Sequence, residues 1–424
     1  MLPKLEHFPV NWVDGMKIAR RHFSEFEHFV NDHLRDSTAV GLNAFNYGLL
    51  PSNAPAFNLQ VVPESNQNVR VQLFNCRAIT GAGCRIEIIN DQLTVSTNLN
   101  ELREKYNLPR EKELDFLVVL SVNLFNRKPY GQPSPEEYMA RPPFTLPTYQ
   151  LSIEPSHLFT SRPDIDGQVP FMSDDFESTR LIVGRLRSQA DRISKDETYI
   201  PACAAVNSHI KLAEWAGEMA KLLAETQRDA LEVVRLVCKK RGSDEVKQDT
   251  IPLAELIRDW AEQLADHLDE PINQLRFTGR QLPPIYAIEA ITLATRRLRT
   301  TNSCLNHPDA RYGATQMGEE KVLSYFNDWT SIAPSVLRNA LTTVIDYPYT
   351  HFDVQPQLMA IRECWIHIYR IVHQLTELDY IGQGTDDWEI RRRSVVTNRQ
   401  NIPRESASSA TTDVFDYKLT RPRQ

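Results

Sequence analysis

Between Asn207 and Lys240 the chain has no proline and a single glycine, Gly217, and its small and apolar residues fall on two parallel 4-3 repeats. One repeat runs through Val206, Ile210, Ala213, Gly217, Ala220, Ala224, Gln227, Leu231, Val234 and Cys238. Beside it run Leu212, Ala216, Met219, Leu223, Thr226, Ala230, Val233 and Val237. A 4-3 repeat keeps one seam of a helix facing one partner. Two seams therefore predict a helix of about 50 Å that serves its own bundle with one face and a neighbour with the other. A second stripe left in water would be a large exposed patch.

The same grammar holds from about Phe171 onward, with a period near 3.6 and few breakers. Ser173-Asp174-Asp175-Phe176-Glu177 has the form of a capping box that opens a helix. Further helices are predicted over Leu253 to Leu268, Pro283 to Arg299, and a pair, Glu319 to Ile345 and Gln355 to Tyr380, divided by YPYTHFDVQP. The second half thus reads as an extended helical bundle. From about Gly382 the chain mixes RRR, ESASSATT and few large apolar groups, too little burial to offset chain entropy, so a flexible tail is expected.

The first half is written differently. Fifteen of the 26 prolines fall in residues 1–170, between short β-branched runs, which predicts strands and turns. Asn68 to Ile79, the turn Thr80-Gly81-Ala82-Gly83 and Cys84 to Ile89 predict a hairpin, with glycine supplying positive φ. Val69, Val71 and Leu73 share one parity and Cys76 and Ala78 the other, which calls for a bulge near Phe74 and Asn75 or burial on both faces. Leu114 to Leu124 is apolar almost throughout, as in a central strand covered on both sides, here by two layers of sheet. Pro129 to Pro147, with six prolines, reads as an exposed loop, and Thr148 to Ile153 as a last strand. The fold class expected is α+β, an N-terminal antiparallel β-sandwich followed by an extended helical bundle.

Charge and motif content narrow the function. Forty-eight Lys and Arg against 55 Asp and Glu leave a net charge of −7, without the basic excess that neutralises a phosphate backbone. No nucleic acid is expected as a partner. The most continuous apolar run, Phe116 to Leu120, is far below the roughly 18 residues of a bilayer span. MLPKLEHFPV lacks the apolar core of a signal peptide, and a cytoplasmic protein is expected. Six cysteines without a C-x-x-C pair read as reduced thiols.

Gly81-Ala82-Gly83 cannot extend to a dinucleotide fingerprint because Ile86 takes the third glycine's place. Asp164-Ile165-Asp166-Gly167 has its glycine too early for a calcium loop and reads as a turn. His22, His28 and His33 are spaced by six and five, which does not put ligands on one helix face. His367 and His373 read as core-edge imidazoles, each with a hydrogen bond. With no G-x-S-x-G elbow and no cysteine-nucleophile signature, no catalytic residue, cofactor or metal site is predicted.

The informative motifs stand at the start. Asn11-Trp12-Val13-Asp14-Gly15-Met16 precedes Lys17 to Phe23, and an amphipathic helix over Ser24 to Leu34 follows, with Phe26, Phe29, Val30 and His33 at helical spacings. Taken alone, these residues predict core packing. The order W-x-[DE]-G-M, then His22-Phe23, then Tyr47-Gly48-Leu49, resembles the N-terminus of TssK proteins, the trimeric baseplate subunit of bacterial type VI secretion systems. Tyr199-Ile200-Pro201 before the long helix is similar to that family's (F/Y)IPP entry into its first neck helix. Tyr347-Pro348-Tyr349-Thr350-His351 before a helix near Pro356 is similar to its proline-bearing turn between later neck helices. The resemblance covers roughly residues 8–380.

What the resemblance implies can be stated by segment. Residues 1–35 would be an attachment segment and helix, 36–170 a β-sandwich shoulder, 171–381 a helical neck that trimerises, and 382–424 a tail. The implied role is structural and non-enzymatic: a homotrimeric adaptor that links the TssF and TssG baseplate wedge to the membrane complex, at the cytoplasmic face of the inner membrane. Implied wedge contacts are Trp12, Gly15, Met16, His22 and Phe23; implied trimer and neck packing falls on Ile210, Ala213, Gly217, Ala220, Leu223 and Val234. Common TssK proteins carry a C-terminal β-rich head that grips TssL and TssM, for which residues 382–424 leave no room. The chain is therefore similar to a head-lacking, Bacteroidetes-type variant with an unidentified membrane-complex partner, for which Arg391, Arg392 and Arg393 are the candidate tail contact, the alternative being a solvated basic tail with no partner. The alternative is a receptor-binding or tail-tip protein of a phage or another contractile injection system, which shares the shoulder architecture.

Overall fold

A computed structural model describes residues 4–52, 57–64, 67–109, 113–133, 139–159, 179–189, 192–240, 248–305 and 318–384. Met1–Ile381 is one compact unit and Gly382–Gln424 a second. The capping box at Ser173, the Asp164 turn and Arg391 to Arg393 lie outside the described residues.

The alternating first half folds into two antiparallel sheets. In one, β3 (Asn68–Ile79) is central; β4 (Arg85–Asn98) pairs along one edge, and β2 (Asn58–Pro63) and then β1 (Gly48–Leu49) along the other. The parity change expected near Phe74 is a bulge: register shifts between Phe74 and Cys76, and Asn75 takes φ 53°. The extra residue brings Val69, Val71, Leu73, Cys76 and Ala78 into one core. At the hairpin turn Gly83 has φ +81°, and a Cβ there would stand 2.3 Å from the Arg35 carbonyl oxygen.

The second sheet runs β6 (Phe144–Pro155), β5 (Leu114–Tyr130), β7 (Arg180–Gln189), β8 (Arg192–Lys195). Phe116, Val118 and Leu120 join the core of the first sheet, and the two layers meet so closely that a Cβ on Gly184 would be 2.2 Å from Leu59 Cδ2. The opposite parity, Leu117 and Val119 with Ile182, is buried too. Its cover is not sheet but Phe159, Tyr199 and Phe352, the last from a turn between two helices of the second half.

Two expectations shift in the β region. Strands β7 and β8 occupy residues 180–189 and 192–195, beyond the point near 171 where helical grammar was expected to begin. Their signal was the apolar run Leu181-Ile182-Val183, two of its residues β-branched and all three buried. The proline-rich loop is also shorter than expected. Pro129 pairs with Thr145 and Pro147 with Arg127 at the end of the β5–β6 ladder, beyond the last β5 residue that β7 pairs with, Ser121, an edge position where a missing N–H is tolerated.

The helices are α1 (Arg20–Ala39), α2 (Leu99–Tyr106), α3 (Ile210–Lys240), α4 (Ile251–His267), α5 (Asp269–Arg276), α6 (Pro284–Cys304), α7 (Glu319–Thr330), α8 (Pro334–Asp346) and α9 (Gln355–Thr376). The single helix expected over 319–345 breaks where Ser331 adopts φ 58° and Pro334 starts the next helix, the usual asymmetry of a left-handed C-cap and an N-terminal proline. α3 is the hub, packed on α9, α4 and α5. The bundle centre holds Trp260, Phe326 and Trp365. Trp260 Nε1 donates to Asn302 Oδ1 at 2.8 Å and Trp365 Nε1 to Thr295 Oγ1 at 3.2 Å, so burying these rings strands no donor. Among the described residues no helix is long and apolar enough to cross a membrane. All six cysteines are free.

Candidate protein-interaction surfaces

The two stripes of α3 have opposite fates. Leu212, Ala216, Met219, Leu223, Thr226, Ala230, Val233 and Val237 are all buried. The other stripe faces out: Ile210 is 70% and Leu231 44% exposed, while Ala213, Gly217, Ala220, Ala224 and Val234 are half-buried. Of the neck residues singled out from the sequence, Leu223 therefore lies inside the bundle and Ile210, Ala213, Gly217, Ala220 and Val234 lie on its surface. Gln227 is the polar member of the outer stripe, and its Nε2 donates to Ala265 O at 2.8 Å and Asp269 Oδ1 at 2.6 Å. It holds α3 to α4 and α5 within the protomer. Gly217, Ala220 and Ala224 line a shallow groove together with Lys221, Glu225, Arg228 and Arg276, and Phe277, 76% exposed, follows α5.

The second surface is built on α1, whose amphipathicity is reversed. Its buried residues are His22, Asp32, Arg35 and Ala39, mostly polar, and its exposed face carries Phe23, Phe26, Val30 and Leu34, spaced by three and four along one side. Phe23 is 57% and Leu34 61% exposed. The inward polar face is satisfied. Asp32 accepts from the amides of Glu6 and His7 at 2.7 and 3.0 Å and from Arg35 Nη2 at 2.8 Å. Burial disfavours the Asp32 charge, but these donors outweigh it and hold the carboxyl below its ordinary value. Residues 4–16 are thereby strapped along the helix. His22 Nδ1 accepts from the Ala19 amide at 3.2 Å and closes the helix start, and the Trp12 ring stands edge-on to His22 at 6.0 Å.

The predicted attachment residues thus separate. Trp12 and Phe23 are exposed, Met16 is half-buried, Gly15 has φ +78° with open space around it, and His22 is buried as a cap. Core packing, the reading the aromatics alone suggested, does not hold for Phe23, Phe26 and Val30. The sequence reading missed Ile18, Leu34 and Val40, which extend the exposed apolar surface. The available signal was Asp32 and Arg35 at helical spacing, polar residues whose side would be drawn to backbone amides.

Three motifs read separately from the sequence meet at one junction between the β-sandwich and the bundle. Leu49 donates its amide to Ala202 O at 2.8 Å, and Gly48, φ +109°, lies where a Cβ would be 2.1 Å from that oxygen. His351 Nε2 donates to Tyr47 O at 2.9 Å; because a carbonyl only accepts, Nδ1 is the free acceptor and takes the Tyr349 hydroxyl at 2.8 Å. Tyr199 donates its hydroxyl to Phe352 O at 2.6 Å. Beside it Arg185 bridges Asp196 at 2.8 Å and Asp353 at 2.7 Å. Burial pushes the His351 pKa down to about 4, against a smaller opposing effect of its bond to Tyr47. It pushes the Asp353 carboxyl up, only partly offset by Arg185. Asp196, also penalised by burial, is pulled to about 2 by Thr198 and Arg185.

Against this geometry the comparisons with known proteins can be set. The solved structures similar to this chain include TssK structures. A crystal structure of TssK aligns at 11% identity over 86% of this chain and 69% of that one, with TM-score 0.40. The cryo-electron-microscopy structure of the type VI secretion system TssK–TssF–TssG baseplate subcomplex aligns at 12% identity over 88% of this chain and 100% of that one, with TM-score 0.41. The baseplate complex from the type VI secretion system aligns at 15% identity over 75% and 96%, with TM-score 0.40. No protein-family model matches the chain, and no curated protein matches it.

The remaining histidines are placed as follows. His373 Nδ1 pairs with Asp229 Oδ2 at 2.9 Å, as expected of a core-edge imidazole, whereas buried His367 Nδ1 has no partner among the described residues. His28 packs on Phe125 and His33 bonds Phe29 O. Among the described residues no group of three or more His, Cys, Asp and Glu gathers to hold a metal.

Proposed function

We propose that this chain is a TssK-like, non-enzymatic baseplate subunit of a type VI secretion system. In this reading three copies associate through the outer stripe of α3, and Trp12, Ile18 and Phe23 at the strap and the start of α1 attach the trimer to a wedge of TssF and TssG type. The trimer then links that wedge, on the cytoplasmic side, to a membrane-complex protein, with Arg391, Arg392 and Arg393 as its tail contact. The observation that carries the proposal is the second α3 stripe: it keeps helix-pairing periodicity along the helix, yet its own bundle leaves Ile210 and Leu231 exposed and Ala213, Gly217, Ala220, Ala224 and Val234 only half-buried. The junction gives further support, because the three motifs that resemble the family lie where the fold demands a glycine and hydrogen-bonding rings.

Light scattering of the purified chain should return a trimer, and Ala220→Glu combined with Leu231→Glu should return a folded monomer. A wild-type monomer would sink the proposal. Trp12→Ala with Phe23→Ser should abolish co-purification with co-expressed TssF- and TssG-like proteins, and undiminished co-purification would remove the wedge contact.

A further inference from the structure

Most charges around the outer face of α3 are matched within the protomer. In the groove, Lys221 stands 3.9 Å from Glu225 and Arg228 2.9 Å from Asp229. Elsewhere on the helix Glu218 meets Arg362 at 3.5 Å and Glu232 meets Arg235 at 3.2 Å. Three exposed side chains are left over. Arg276, which lines the groove, has neither an ion pair nor a side-chain hydrogen bond among the described residues. Nor has Arg280, whose Nη2 lies 3.6 Å from where a Cβ on Gly217 would stand. The third is Glu214, the one α3 carboxylate without an ion pair among the described residues. Between the two arginines in the chain, Phe277 is exposed to 76%.

The leftover charges stand on opposite flanks of the stripe. At the turn of an α-helix Glu214 and Gln227 are about 140° apart, with the outer stripe between them. Gln227 bonds Asp269 at the start of α5, so α5 and its arginines flank the stripe on one side and Glu214 on the other. In a three-membered ring closed along the stripe, one flank of each copy meets the opposite flank of the next. An axis running with α3 also keeps every residue at its own height. Glu214 is about 4.5 Å along the helix from Gly217, within reach of a guanidinium held at the level of Gly217.

We infer that the end of α5 of one protomer seats on the outer face of α3 of a second copy, with Phe277 over Ala220 and Ala224 and with Arg276 and Arg280 facing Glu214. Each copy then gives one basic flank and receives another on its acidic flank. The inference rests on the homotrimer reading and supplies the contact that sets the register and hand of the ring.

The test uses the full chain and two surface variants, Arg280→Glu and Glu214→Arg, with sedimentation as the readout. Each variant alone is expected to raise the concentration at which the trimer dissociates about tenfold. An equimolar mixture of the two brings Arg280 of one chain to Glu214 of the other, and it is expected to dissociate at a lower concentration than either variant alone. A pair formed inside one chain cannot be rescued in this way, because each variant carries like charges at both of its own positions. Weakening without rescue on mixing therefore overturns the contact between copies. A wild-type trimer whose dissociation neither variant changes overturns the inference and leaves the trimer reading standing, whereas a wild-type monomer removes both.

Discussion

His351 couples the stability of the junction to pH in a calculable way. It is buried, donates to Tyr47 O and accepts from the Tyr349 hydroxyl, so protonation would place a charge where no carboxylate bonds it and a second N–H where a hydroxyl already donates. Burial holds the folded pKa at about 4, against 6.5 when exposed. A histidine depressed on folding contributes stability that is fully present above 6.5 and is lost as pH falls from there toward 4. Within that window each pH unit costs about 1.4 kcal/mol, so moving from pH 8 to pH 5 removes about 2 kcal/mol through this one ring. His209, whose pKa burial and nearby lysines also hold at about 4, adds a loss of the same sign. His351→Gln keeps a donor for Tyr47 O and cannot titrate, so comparing the two proteins cancels His209 and every other group. Guanidinium unfolding at pH 8 and pH 5 should show the wild type losing about 2 kcal/mol more than His351→Gln. Equal losses would refute the reasoning, because they would mean that His351 is either solvated or charged in the folded chain.

Other substitutions test the remaining features. Gly48→Ala, with its Cβ 2.1 Å from Ala202 O at φ +109°, should cost about 3 kcal/mol or more and be seen as a lowered unfolding midpoint. Leu223→Ala in the inner α3 stripe should cost about 3 kcal/mol of folding stability. Leu231→Ala in the outer stripe should change folding by about 0.5 kcal/mol or less and instead weaken the trimer, read by sedimentation. Asp32→Asn should loosen residues 4–16 by about 1–3 kcal/mol, measured as faster amide exchange at Glu6 and His7. Because the Asp32 carboxyl is held below its ordinary value, that contribution is present above pH 3.8 and disappears as pH falls through the folded pKa.

Much of the architecture was legible because it is periodic. The β3–β4 hairpin, the bulge at Asn75 and the helix from Ile210 follow from parity and from the 4-3 repeat. The strand β7 was hidden because Leu181-Ile182-Val183 is a short apolar run, too short for periodicity to separate strand from helix. The helix break at Ser331 depended on one left-handed residue, a conformation serine adopts only where its surroundings hold it. The junction was invisible for a different reason: Tyr47 and His351 are 304 residues apart, and no local pattern reports a contact that closes so large a loop.

The sequence by itself determined which faces of α1 and α3 are apolar, since side-chain spacing on a helix is fixed by its turn. Only the tertiary structure decided which face goes inside. In α3 the inner stripe won because α4, α5 and α9 offer apolar partners to it. In α1 the polar face won, because Asp32 and Arg35 found each other and the amides of Glu6 and His7 there. A satisfied buried ion pair with backbone donors can be accommodated where an unpaired one cannot, and its accommodation leaves Phe23, Phe26, Val30 and Leu34 facing out.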